Sequence, residues 1–120
     1  MRDYRKIVAW QKAHELVLHI YAITEKFPKH ELFGLISQLR RASVSIPANI
    51  AEGYGRTTDA ELARFIDIAL GSANELEYLI VLSADLKYIS KNVSEQLFSN
   101  VIEIRKMLFA FTKTLRKALK

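Results

Sequence analysis

The 120-residue chain is half hydrophobic and 26% charged, with a formal net charge of +5 and no cysteine. That length holds one domain, residues 1–120, with one core rather than two, and the composition is that of a folded protein rather than a disordered one. The missing cysteines exclude disulfides and thiolate metal sites.

Four glycines and two prolines punctuate the chain, and no alternating β-branched run is bounded by turns, so an all-α fold is expected. The first helix should run from about Tyr4 to Lys26, burying Ala13, Leu16, Val17, Ile20, Ile23 and Phe27. Phe27-Pro28 ends it, because the residue before proline is pushed out of the helical region. Trp10 lies off the centre of that stripe. It reads as a core edge or subunit contact rather than a ligand platform, since its rings need burial while its N–H needs a partner.

The second helix is expected from about His30 to Tyr54 and carries two stripes. Leu32, Leu35, Ile36, Leu39, Ser43, Ile46 and Ile50 recur at steps of three and four on the core side. Gln38, Arg41, Ser45, Asn49, Glu52 and Arg56 recur in the same way as a polar stripe, fitted for a structural network, a subunit interface or a bound partner. Pro47 cannot donate to the Ser43 carbonyl and costs roughly 3 kcal/mol in an unsupported helix interior. The apolar pattern continues through Ile50, so a long, proline-kinked helix is expected in preference to two helices broken at Ile46. Gly53 and Gly55 are expected to end it in left-handed conformations.

Thr58-Asp59-Ala60-Glu61 is a capping box that starts the third helix. Leu62, Phe65, Ile66, Ala69, Ala73, Leu76 and Ile80 form its core side, and it should continue to about Tyr88. The small residues Ala69, Gly71, Ser72 and Ala73 suggest close approach of another helix, with Gly71 held by packing. Tyr78 to Leu82 reads YLIVL and is apolar all round, which calls for a second burial partner or a deep position in the bundle. The uninterrupted Leu16-Val17-Leu18 favours the former, hence a homo-oligomer. The fourth helix begins at Ser90 or Ser94 and buries Leu97, Val101, Ile104, Leu108, Phe111 and Leu115 at heptad spacing. Four long helices with short connections make an up-down-up-down four-helix bundle.

In such a bundle the start of the first helix, the second turn and the end of the fourth helix share one pole. Arg2, Arg5, Lys6, Arg56, Arg64, Lys113, Arg116, Lys117 and Lys120 lie there against Asp3, Glu52, Asp59 and Glu61, which accounts for the whole formal excess. A basic pole can hold a phosphate backbone; the plainer reading is a solvated helix end that complements the helix dipole. Arg40 and Arg41 leave their helix on different sides, and structural ion pairs with Glu75 or Glu77 are the expected use of this set.

The run QLRRASVSIPANIAEGYGR resembles one bacterial family, together with Trp10-Gln11-Lys12-Ala13, Phe27-Pro28-Lys29, Glu31-Leu32, Ala69-Leu70-Gly71-Ser72 and Glu75-Leu76-Glu77. These are the four-helix-bundle proteins first noticed in intervening sequences of large-subunit ribosomal RNA genes. The resemblance covers nearly the whole chain, and the bundle it implies is similar to the accessory protein of diversity-generating retroelements. It implies a ring-shaped homopentamer, and no settled biochemical activity.

Other chemistry is poorly supported. His14 and His19 are five apart, one too many for H-E-x-x-H, and stand about 140° apart around a helix, so no metal is expected. No Gly-rich nucleotide motif occurs, and no histidine is spaced to activate Ser43 or Ser45. No enzyme activity and no cofactor are expected. No apolar run reaches the roughly 18 residues of a membrane span, and MRDYRKIVAW lacks a signal-peptide core, which makes the cytoplasm the expected location. The expectation is a non-catalytic oligomeric scaffold that binds RNA or DNA through its basic pole. The alternative is a ring that binds a partner protein through its polar stripe or central channel.

Overall fold

The computed structural model describes residues 3–119, apart from the side chain of residue 119. Asp3 accepts a hydrogen bond from the Arg5 N–H at 3.0 Å and caps a 3₁₀ turn, Tyr4–Lys6. Ile7 is extended, so the first long helix, α1, spans Val8–Thr24 and is shorter at both ends than its apolar pattern.

A similar shift affects the second helix. Pro28 is extended, a 3₁₀ turn occupies Lys29–Glu31, and α2 spans Leu35–Tyr54. Leu32, expected in the core, therefore precedes the helix and is half exposed. The Glu31 carboxylate fastens this corner, accepting from the Leu35 N–H at 3.2 Å and the Tyr88 hydroxyl at 3.0 Å. α2 runs through Pro47, which is buried.

Neither glycine at its end takes a left-handed conformation: Gly53 is helical and Gly55 has φ −85°. Gly53 serves close packing instead. A Cβ there would stand 2.9 Å from Leu62 Cδ1 and 3.0 Å from Phe65 Cβ, so its missing side chain lets α2 meet the next helix.

That helix, α3, spans Asp59–Asp85, and the Thr58 hydroxyl accepts from the Glu61 N–H at 3.2 Å as the capping pattern requires. Its far end is a Schellman motif: the Tyr88 N–H reaches the Ser83 carbonyl and the Lys87 N–H the Ala84 carbonyl, each at 2.9 Å. The left-handed position of that motif is Lys87, at φ 64°. α4 spans Lys91–Leu119. Of the two candidate caps, Ser90 does the capping, accepting from the Val93 N–H at 3.1 Å, while Ser94 is buried one turn in.

The four helices form an all-α bundle in which α2 packs on α1 and α3, and α4 on α3 and α1. The body measures 47 × 21 × 21 Å. Ile20, Ile46, Ile50, Ile66, Leu76, Ile80, Leu97 and Ile104 fill its axis, each contributing about 1.5–3 kcal/mol of burial. Ile23, Phe65 and Phe111 sit at the core's margin, only half buried. Within YLIVL, Leu79 and Ile80 are buried, but Tyr78 and Val81 face solvent, so the run is not a deep position in the bundle. Among the described residues, no helix is long and apolar enough to cross a membrane.

Candidate functional site

At one end of the bundle the start of α1, the end of α2 and the later half of α4 meet. Ile7, Val8, Tyr54, Met107 and Phe111 line a cavity of about 260 Å³ there, and the Tyr54 and Phe111 rings stack with centroids 6.0 Å apart. Arg5, Lys6, Arg56, Arg64, Lys113, Arg116 and Lys117, which the sequence assigns to this end, are all exposed. Arg2 and Lys120, assigned to the same pole, lie outside the described residues.

Several of these cations are already engaged. Arg5 pairs with Asp3 at 3.2 Å, which holds the Asp3 carboxyl below the usual carboxylate range and raises the arginine. Arg56 pairs with Glu52 at 3.2 Å and lies 4.8 Å over the Phe65 ring. Arg116 pairs with Asp67 and is raised by that hydrogen bond. Asp67 is not among the four acidic residues expected at this pole, because pairing across α3 and α4 depends on helix rotation that linear spacing does not give. Lys6 also acts on the Asp3 carboxylate through its charge, whereas Lys113 and Lys117 have no carboxylate partner among the described residues.

The polar stripe runs along the seam between α2 and α3. Asn49 donates to the Ser45 carbonyl at 2.7 Å and to its hydroxyl at 2.9 Å, and the Ser72 hydroxyl reaches Ser45 from α3 at 2.7 Å. This half-buried middle ties two helices together. Gln38, Arg41, Glu52 and Arg56 form the exposed outer row. Ser72 and the fully buried Ala69 and Ala73 face the bundle, whereas Gly71 does not: a Cβ there would meet nothing within 4 Å. Its expected packing constraint is therefore missing from the single chain.

Arg40 is the most heavily engaged cation. Its Nε donates to Thr24 Oγ1 at 2.9 Å, and its Nη2 to the Tyr21 carbonyl at 3.3 Å and to Glu25 at 3.2 Å. The guanidinium lies 4.4 Å over the Tyr21 ring, so one side chain caps the end of α1 and clamps it to α2. Glu77, considered on the sequence as a partner for this arginine, pairs instead with Arg105 of α4. Glu77 faces α4 while Arg40 faces α1, which keeps them apart.

The two histidines diverge as their spacing requires. His14 stacks on Trp10 at 5.1 Å, and His19 lines a cleft with Lys12 and Glu103 on the α4 side. Among the described residues no group of three His, Cys, Asp or Glu could hold a metal ion.

A family model described as 23S rRNA-intervening sequence protein matches residues 5–110. A solved structure from Bacteroides thetaiotaomicron VPI-5482, described as a protein with unknown function from the S23 ribosomal protein family, is 29% identical. It superposes with a TM-score of 0.82 over 88% of this chain and 96% of that one. No curated protein matches the sequence.

Proposed function

Since the chain belongs to the 23S rRNA-intervening sequence protein family, we propose that it is a non-catalytic, self-assembling scaffold that holds the backbone of RNA or DNA at its basic pole. The observation that carries this reading is the exposure of Arg5, Lys6, Arg56, Lys113, Arg116 and Lys117 around one end of the bundle. Two lysines among them, Lys113 and Lys117, lack an acidic partner among the described residues, so phosphate oxygens meet no internal competitor there.

The pole presupposes an up-down-up-down order of helices, supported by contacts at both ends: Tyr54 on Phe111 at one, Phe27 on Tyr88 at the other. A bend of α2 at Pro47 belongs to the same reading, supported by the hydrogen bond that proline cannot donate. Five copies in a ring, by resemblance, would bring five such poles together and raise the local potential. A cytoplasmic location is part of the proposal.

The test is binding of labelled RNA and DNA across a salt series from about 50 to 200 mM, where several phosphate contacts produce a steep loss of affinity. Binding indifferent to ionic strength, or none at low salt, removes the idea. The exposed outer row of the polar stripe, with Gln38, Arg41 and Glu52 facing solvent, favours a second reading in which a partner protein docks there. In that case Arg41→Ala and Glu52→Ala lose a partner in pull-downs from the native cell while the oligomer keeps its mass.

A further inference from the structure

Among the apolar surfaces that the described residues turn to solvent, two carry unpaired charges of opposite sign. The first is a groove of about 490 Å³ between α1 and the start of α2, lined by Tyr21, Leu32, Phe33, Val44 and Arg41 among others. Phe33 is 93% exposed and Leu32 50%, a cost in unburied surface that a partner would relieve. The groove's other arginine, Arg40, is consumed by Glu25, but Arg41 is exposed and has no acidic partner among the described residues.

The second surface is the outward ridge of α3. Ile68, Gly71, Glu75 and Tyr78 follow one another at steps of three and four and are all exposed, Tyr78 at 60%. Glu75 has no cationic partner among the described residues. The open space at Gly71 makes the ridge low in its middle, where a second helix pair can come close.

We propose that these surfaces bind each other between copies: the α3 ridge of one chain lies in the α1–α2 groove of the next, with Glu75 opposite Arg41. This rests on the self-assembly reading above and names its contact. Groove and ridge are different patches, so the contact is heterologous, and successive copies add until a ring closes. Charge complementarity selects this pairing, because groove against groove would oppose two Arg41 side chains and ridge against ridge two Glu75 carboxylates. A nucleic-acid strand suits the groove less well, since its lining is largely apolar and offers phosphate only one uncommitted cation.

The test is the mass of the full chain and of three variants by light scattering coupled to size exclusion, over a concentration series. Arg41→Glu and Glu75→Arg should each weaken self-association by about tenfold or more, and the double reversal should restore it. Both positions are exposed, so circular dichroism should show helix content unchanged in every variant. A wild-type chain that stays monomeric throughout overturns the self-assembly reading and this contact with it. An assembled wild type whose single reversals assemble equally well, or whose double reversal recovers nothing, overturns the contact alone. Loss of RNA binding in Arg41→Glu with the mass unchanged assigns the groove to nucleic acid and likewise overturns it.

Discussion

Lys87 occupies the left-handed position that ends α3, where an L side chain crowds its own backbone and glycine does not. Lys87→Gly should stabilise the protein by about 1 kcal/mol in urea titration, with the Schellman hydrogen bonds kept. The next residue gives a pH-dependent prediction. Tyr88 donates to the Glu31 carboxylate, and that bond raises the phenol above its ordinary value. A raised folded value means stability is fully present below the unfolded pKa, about 10, and is lost as pH rises through the folded one. Tyr88→Phe should therefore be less stable than wild type at neutral pH, and the difference should shrink in denaturation curves taken above pH 10. The bond joins residues 57 apart in sequence, and no spacing rule brings them together.

Among whole elements, two helical glycines make opposite predictions. Gly53→Ala drives a methyl group against Leu62 and the Phe65 Cβ, and overpacking of about 1–3 kcal/mol outweighs the gain of roughly 1 kcal/mol in helix propensity. Gly71→Ala meets open space and keeps that gain. Thermal melts of dilute protein should show the first lowered and the second raised; if the α3 ridge enters a neighbour's groove, Gly71→Ala should also weaken assembly. The apolar stripes of all four helices were legible because a period of 3.6 residues survives in linear sequence: Leu39, Ile46 and Ile50, or Leu97, Val101 and Ile104, are where the pattern puts them. Helix ends were less legible. The pattern carries Leu32 into α2, but Pro28 and the short turn after it delay the helix to Leu35. A glycine near a helix end reads equally as a left-handed stop or a close contact, and only the position of Leu62 decides for Gly53.

For the molecule as a whole, the distribution of charge decides what it attracts. If phosphates bind at the pole, Lys113→Ala and Lys117→Ala together should make the slope of log affinity against log salt shallower by about 1.5 per protomer, with the melting temperature little changed. The exposure of the basic residues was readable from their positions off the apolar stripes. Their engagement was not, because Arg116 meets Asp67 only through the relative rotation of α3 and α4. The groove at Phe33 was equally hidden: Phe33 falls off the apolar stripe, but the hollow it borders forms only because Leu32 stays outside α2 beside Tyr21 of α1. Trp10, the only tryptophan, is clasped between the Tyr4 edge at 5.0 Å and the His14 face at 5.1 Å. That clasp is a built-in optical gauge: the indole emission should shift to longer wavelength when the Tyr4–Lys6 turn peels away, reporting the docking of that turn without any attached dye.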